Sequence, residues 1–303
     1  MKNIFSRWLA CGLFLASIGP LAAQPGDGDL LSLLGDAPEK EHIANAFKSP
    51  RVINSHSMEM LSVGTLDFRV LHRFGELKGG GYELFGLDQA SMRLGFDYGL
   101  TPNLMLGVGR STAKKELDGF VKYRLLWQSK GGKHPAPVSL VWVSGITANG
   151  LKEPFSEPEV EVKFVRRLSY YHALIVGRKF NERLTLQLSP TLVHRNIVDN
   201  RLIPNELFAV GFGGRFKMTK RMALMWDYGY VINRFPGNIN YNPLSLGVDI
   251  ETGGHVFQLH FSNAVGMNER AYLSDANGNW LAGGIRFGFN LSRVFQLVKR
   301  KID

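Results

Sequence analysis

Serine, histidine and asparagine, the side chains of one kind of hydrolytic triad, occur close together at two places in the chain. The first is the run 54–57, Asn-Ser-His-Ser, and the second is the run 194–196, His-Arg-Asn. A histidine beside a serine can act as the base that turns its hydroxyl into a nucleophile. Neither run matches a hydrolase motif, and 8 histidines in 303 residues meet serines by chance. The sequence therefore predicts no catalytic residue.

Metal and cofactor sites are not indicated either. His172, His255 and His260 lack the spacing of metal ligands, and 1 cysteine is too few for a multi-thiolate zinc site or a disulfide framework. The glycines at 79–81 lack the strand–loop–helix context and the following Lys-Ser/Thr of a phosphate-binding loop. We expect no cofactor, no metal and no nucleic-acid partner.

Most of the remaining polar and charged side chains occupy every second position in segments that alternate with apolar residues. In the segment 91–100, Met92, Leu94, Phe96 and two further apolar residues alternate with polar residues and glycine. A strand places such sets on opposite faces. The charged and histidine side chains on the polar faces are our candidate site residues, either lining a pore or forming structural ion pairs: Asp67, Arg69, Arg93, Asp97, Asp118, Lys122, Arg124, Arg215, Asp227, His260 and Arg286.

The same alternation recurs along the chain, and with the less regular runs 104–112, 138–148 and 168–179 it predicts twelve strands. If these strands run up and down in order, the short connections, such as 101–103 and 252–254, fall at one end. The long ones, such as 149–167 and 263–281, fall at the other. Transmembrane β-barrels have this asymmetry, with short periplasmic turns and longer extracellular loops. An even number of strands places both chain ends in the periplasm.

Alternation alone does not decide which face is outside. A soluble sheet hides its apolar face, whereas a membrane barrel turns that face to lipid. Strands of membrane-spanning length, aromatic residues near strand ends and the loop asymmetry favour the membrane. We therefore predict an all-β fold: a closed up-and-down antiparallel transmembrane β-barrel of about twelve strands over residues 61–291, with an N-terminal periplasmic extension. A soluble periplasmic β-protein is the alternative.

The first 23 residues have the features of a cleaved secretory signal peptide. Lys2 and Arg7 precede an apolar run, and Ala22 and Ala23 precede a plausible cleavage site. Removing the two cations changes the net charge from +10 to +8, since 10 − 2 = 8. A membrane anchor and lipidation at Cys11 are the alternatives.

Six segments carry a resemblance to a known family. They are 47–57 (FKSPRVINSHS), 66–75, 85–100, 118–126, 188–196 and 208–221. Over residues 45–291 the chain resembles a Gram-negative outer-membrane β-barrel domain family with no assigned biochemical function. The resemblance implies the fold and an outer-membrane location, and it implies no activity and no functional residues.

The predicted lumen carries cations and anions in nearly equal number, so it lacks the single-signed ring of a strongly selective pore. Twelve strands lie between the barrels that side chains fill and the wide porins. We expect a narrow polar lumen, either closed or passing small solutes. The alternative is that the charges only brace the wall.

The two ends of the mature chain leave alternatives open. The acidic and apolar segment 24–60 is either a flexible periplasmic tail or a cap that closes the lumen from below. The basic segment 292–303 is either an interfacial helix or an extension of the last strand.

The function that follows is that of a porin-like barrel: a narrow channel or transport barrel for small polar solutes, or a membrane scaffold. The alternative is a structural or adhesive barrel that binds a partner through its extracellular loops, and a hydrolase at the rim is a third hypothesis. The expected partners are outer-membrane lipid and, during biogenesis, the barrel-assembly machinery.

Overall fold

The computed structural model describes residues 39–152, 163–198, 203–234 and 240–298. Alternating apolar and polar residues make β-strands of most of this chain. In chain order, β1 (Glu41–His42) pairs only with β6 (Ser129–Lys130). The wall strands are β2 Thr65–Glu76, β3 Ala90–Thr101, β4 Leu104–Ser111, β5 Leu117–Leu126, β7 Ser139–Ala148, β8 Leu168–Lys179, β9 Leu184–Arg195, β10 Glu206–Lys217, β11 Met222–Val231, β12 Leu244–Thr252, β13 His255–Ser262 and β14 Arg286–Gln296.

These wall strands form one closed antiparallel barrel, in which each strand pairs with the next along the chain and β14 pairs with β2. At the closing seam Leu291 lies opposite Val70. Closure leaves no strand edge with unpaired backbone groups, which is the condition for placing a sheet in hydrocarbon. The predicted closed barrel of twelve strands is therefore confirmed.

The connections differ in length at the two ends of the barrel. At one end, which we call the turn end, β12 and β13 are joined by Gly253 and Gly254, both with positive φ angles of 54° and 134°. At the other end, the loop end, the connection between β13 and β14 is long and contains the helix α1 (Glu269–Ser274). Asn268 caps this helix by accepting a hydrogen bond from the Ala271 amide at 2.9 Å.

Among the described residues, no helix is long and apolar enough to cross a membrane. The strand β14 continues to Gln296, which is the second of the two alternatives for the segment 292–303. Residues 24–38 lie outside the described residues. None of residues 39–64 is helical.

The apolar core of the protein lies inside the barrel. Its members come from the segment before β2, including Phe47 and Ile53, and from inward-facing wall residues such as Val141 and Met225. The run 138–148 lacks a clear polar face because β7 is apolar on both faces. Val141 and Val143 are fully buried inside the barrel, while Trp142, between them, is 39% exposed on the outer face.

Candidate functional site

The two faces of the wall are separated in the way the strand pattern predicts. On the outer face, Phe96 is 48% exposed and Leu186 is 36% exposed. On the inner face, none of the eleven candidate site residues is more than 6% exposed: Asp67, Arg69, Arg93, Asp97, Asp118, Lys122, Arg124, Arg215, Asp227, His260 and Arg286. The charged side chains therefore point into the lumen, and what they meet there decides their role.

The lumen is occupied by residues 44–62, which we call the plug. The plug is a hairpin: the Val52 amide donates to the Ser55 carbonyl at 2.9 Å, and the Ser57 amide donates to the Pro50 carbonyl at 2.9 Å. The chain enters at the turn end, where β1 pairs with β6, and it returns to the same end to begin β2. The plug thus has a tip inside the barrel and two legs that lead to one opening.

Asp227 of β11 holds the tip of the plug. Its Oδ2 accepts hydrogen bonds from the amides of Ile53, Asn54 and Ser55 at 3.3, 2.8 and 2.8 Å. Its Oδ1 accepts from the Ser55 hydroxyl at 2.9 Å. Successive amides that converge on one anion form a nest, and hydrogen bonds to a carboxylate are among the strong ones. This single side chain accepts from three successive backbone amides and one hydroxyl at the turn of the hairpin.

The other polar groups of the tip are also bonded to the wall. The Asn54 amide group donates to Ser245 Oγ at 2.8 Å and accepts from Arg73 at 2.7 Å. The carbonyl of Ile53 accepts from Asn290 at 2.9 Å. These partners come from β12, β2 and β14, so the tip is held from several sides.

The legs are bonded mainly by cationic and amide side chains. Lys122 Nζ donates to the carbonyls of Pro50 and Glu59 at 3.1 and 2.5 Å, so one lysine spans both legs. Arg124 donates to the Met58 carbonyl at 2.6 Å. Arg69 donates to Ser49 Oγ at 2.6 Å. Four of the candidate site residues, Asp227, Lys122, Arg124 and Arg69, therefore bind the plug directly.

One side of the plug is apolar and packs on an apolar part of the wall. Phe47, Val52, Ile53 and Met58 are each at most 1% exposed. Their neighbours in the core are inward-facing residues of β7 to β11, namely Val141, Val143, Tyr171, Ala173, Ile175, Val193, Leu207, Ala209, Ala223, Met225 and Val231. Full burial of a side chain of this size contributes about 1.5–3 kcal/mol. The lumen is therefore only partly polar.

The helix α1 contacts the plug from the loop end. Glu269 accepts a hydrogen bond from the His56 amide at 2.7 Å and lies 3.4 Å from the Arg51 guanidinium. The His56 ring is 3.6 Å from the same carboxylate. Burial lowers the pKa of His56 well below its usual value, and Arg51 and Lys122 lower it further. Burial raises the pKa of Glu269, which Arg51 opposes.

Other candidate residues pair within the wall. Arg93 binds Asp118 with two hydrogen bonds, at 2.8 and 2.5 Å. Arg286 binds Glu76 at 2.6 Å. Asp67 accepts from Ser292 at 2.6 Å and from Arg69 at 3.2 Å. The Arg93–Asp118 pair therefore spans from β3 to β5 across β4, and the bonds of Arg286 and Ser292 join β14 to β2.

Several candidate residues have buried polar atoms without a hydrogen-bond partner among the described residues. They include both carboxylate oxygens of Asp97 and one guanidinium nitrogen each of Arg69, Arg93, Arg124 and Arg215. Buried polar groups of this kind are ordinarily satisfied by water.

A cavity with a volume of about 420 Å³ lies at the loop end. We call it the basic vestibule. Its lining comes from the connections β4–β5, β7–β8, β9–β10, β11–β12 and β13–β14 and from the adjoining ends of β8 and β9. Its charged residues are the cations Lys114, Arg166, Arg167, Arg195 and Arg270 and the carboxylates Glu116 and Asp275.

The structure shows the partners of the histidines considered for hydrolysis. His194 is bonded to Glu206 and Asn196, each at 3.0 Å, and His56 faces Glu269 and Tyr171. Within the described part of the chain, no group of three or more His, Cys, Asp or Glu residues is arranged to hold a metal ion.

Sequence reasoning left open a cap that closes the lumen from below, but it did not predict that residues 44–62 fill the lumen. The signal for it was the irregular run 138–148, in which consecutive apolar residues leave one apolar set facing inward. An apolar inner wall requires an apolar occupant, and the segment 47–58 supplies Phe47, Val52, Ile53 and Met58.

Comparison with solved structures finds other barrels. The NanC porin is 8% identical with a TM-score of 0.46, covering 76% of this chain and 98% of that chain. An outer membrane channel from Pseudomonas putida F1 is 13% identical with a TM-score of 0.44, covering 79% and 98%. The outer membrane phospholipase A from Escherichia coli is 12% identical with a TM-score of 0.40, covering 76% and 91%. No curated protein sequence matches the chain.

A family model described as "Membrane bound beta barrel domain (DUF5777)" matches residues 47–295. The matched region contains all of the wall except the last residue of β14, and most of the plug. The resemblance of the chain to an outer-membrane β-barrel family is confirmed. Because the match spans both the wall and the segment inside it, the chain belongs to this family of membrane-bound β-barrel domains.

Proposed function

We propose that the protein is a gated channel for small polar solutes in the outer membrane, and that the plug is its gate. The observation that carries the proposal is the hairpin course of residues 44–62, which fills the lumen but enters and leaves at the turn end. The plug is not a strand of the wall. It can withdraw through that end without breaking any hydrogen bond of the barrel ladder.

The polar residues of the inner wall favour a channel rather than a scaffold whose lumen is permanently filled. Buried ion pairs and partnerless polar groups stabilise a protein less than well-packed apolar residues of similar volume. The wall nevertheless places the Asp97 carboxylate inside the barrel without a hydrogen-bond partner among the described residues, and near charged residues of both signs. Once the plug withdraws, these groups line a hydrated passage. Because the two signs are mixed, the passage discriminates weakly between cations and anions.

The proposal includes an orientation and a route of export. The turn end faces the periplasm, where the chain ends lie, and the loop end faces the exterior. Residues 1–23 are removed as a signal peptide, and the barrel-assembly machinery inserts the chain. The exposed apolar residues of the outer face contact lipid. No catalytic role is assigned.

A disulfide between plug and wall tests the gate. A Cβ placed on Gly213 of β10 lies 2.9 Å from Val52 Cγ2, which suits a disulfide between these positions. The variant Val52→Cys/Gly213→Cys is made in a Cys11→Ser background, so that neither the precursor nor the processed chain contains a native cysteine. We expect single-channel openings in planar bilayers when it is reduced and none when it is oxidised.

The controls are the two single-cysteine variants, which should conduct equally under both redox conditions. A barrel that conducts equally with the disulfide formed contradicts the gate. A reduced barrel that is folded by its heat-modifiable gel mobility and never opens contradicts the channel.

A further inference from the structure

The basic vestibule has the chemistry of a binding site for a small anion. Among the described residues that line it, five cations and two carboxylates leave an excess of three positive charges, since 5 − 2 = 3. Arg270 is buried, and its guanidinium contacts both Glu116 and Asp275. Lys114 Nζ contacts Asp275 at 2.9 Å. Two of the cations are thus held in place by the chain's own carboxylates, in positions that another carboxylate or phosphate can also bind.

The vestibule lies in the mouth of the barrel rather than on its outer wall. Its lining comes from five of the loop-end connections, which surround it. A cavity of about 420 Å³ accommodates a small soluble molecule.

The helix α1 joins the vestibule to the plug. Arg270 faces the vestibule, and its chain neighbour Glu269 binds the plug through Arg51 and the His56 amide. Burial tends to raise the pKa of Asp275, but Arg270 and Lys114 hold that pKa below its usual range. A bound anion competes with Asp275 and Glu116 for these cations, and so changes the contacts that position α1.

We propose that the vestibule binds a small solute with two or more carboxylate or phosphate groups, and that its binding favours release of the plug through α1. The binding step stands on the geometry of the vestibule alone. The link to the plug rests on the proposed gate, and the two are measured separately.

Citrate is the probe for binding, inorganic phosphate is a second anion and sucrose is a neutral control. Titration calorimetry is done on the full barrel in detergent at low salt. We expect citrate to bind, and Lys114→Gln/Arg166→Gln to weaken binding about tenfold, because each exposed charge pair contributes a factor of roughly two to five. The matched control is Arg110→Gln, an exposed arginine of β4 outside the vestibule, which should bind citrate like the wild type.

The segment 153–162, between the lining residues Leu151 and Arg166, carries four glutamates. A variant with Glu153, Glu157, Glu159 and Glu161 replaced by glutamine removes the negative charge of this segment. Absence of citrate binding in both this variant and the wild type overturns the proposal. Equal weakening by the Arg110 control shows an unspecific charge effect and also overturns it.

The link is measured by the reaction of Val52→Cys, in the Cys11→Ser background, with a soluble maleimide. Saturating citrate should raise the labelling rate at least about fivefold, the lower end of common allosteric coupling, and sucrose should leave it unchanged. Citrate that binds without changing this rate overturns the link. Since calorimetry needs no channel opening, failure of the gate is distinguishable from failure of the site.

Discussion

Replacing Asp227 with asparagine is expected to release the plug while leaving the barrel folded. The carboxylate accepts four hydrogen bonds from the tip of the plug, three from backbone amides and one from the Ser55 hydroxyl. Asparagine keeps one acceptor oxygen and places an NH₂ group where the other stood. Whichever plug donors face the NH₂ group, either the backbone amides or the Ser55 hydroxyl, lose their acceptor. Every hydrogen bond that remains loses its ionic component.

The loss of free energy of the plugged state follows from the strengths of these hydrogen bonds. Hydrogen bonds to charged groups contribute about 1.5–3 kcal/mol each, and neutral ones about 0.5–1.5 kcal/mol. Part of this loss is recovered when the released tip is hydrated, so we expect the plugged state to lose roughly 2–4 kcal/mol. This corresponds to an increase of about 30-fold to 1000-fold in the ratio of released to plugged molecules.

The assay is the maleimide labelling rate of Val52→Cys, whose side chain is fully buried in the plugged state, together with the open probability in planar bilayers. The matched control is Asp118→Asn, another buried aspartate of the inner wall, which binds Arg93 of β3. We expect this control to lower the thermal stability of the barrel without a selective rise in labelling. Equal labelling of Asp227→Asn and wild type, with both barrels folded, refutes the role given to Asp227.

Three further predictions follow from the plug and the wall. Burial and Arg51 lower the pKa of His56 in the plugged state, so the released state binds a proton at higher pH than the plugged state does. The ratio of the open probability of the wild type to that of His56→Gln should therefore rise as the pH falls below about 6.5, by at most about tenfold per pH unit. A ratio that does not change with pH contradicts this prediction. Comparison with His56→Gln removes the opposite contribution of Glu269, whose pKa burial raises. Ile53→Ala should weaken plug docking by about 2–5 kcal/mol, measured by labelling of the same cysteine, whereas the exposed Ile232→Ala should not. Leu186→Arg places a charge on the outer face and should destabilise the barrel in bilayers by about 2–4 kcal/mol in urea unfolding, and Glu182→Arg in a turn should have little effect.

The wall strands of this protein could be predicted because short stretches of sequence determine them. In β3, for example, Arg93 and Asp97 alternate with Leu94 and Phe96, and period two alone separates the residues into two faces. The even number of strands and the uneven connections then determine the up-and-down order. None of these inferences needs a contact between distant parts of the chain.

The plug was not predictable by the same reasoning. Residues 44–62 have neither period two nor period 3.6, because a hairpin surrounded by protein on all sides buries most of its residues. Its partners are far away in sequence: Ile53 and Asn290 are 237 residues apart. The inward charges could be assigned to the lumen, but their roles depend on these distant contacts. Lys122 and Asp227 read as pore lining or ion pairs, while the structure bonds them to the backbone of the plug.

The order in which the chain is made gives the hairpin course of the plug a consequence for folding. The plug precedes every wall strand, yet the wall groups that hold its tip belong to β2 and to β11–β14, the last strands to be synthesised. Contacts between such distant segments form late, since a long stretch of chain must first be ordered. The interior of this barrel therefore cannot be completed before β14 meets β2, and a chain truncated before β14 lacks part of the surroundings that its first segment requires.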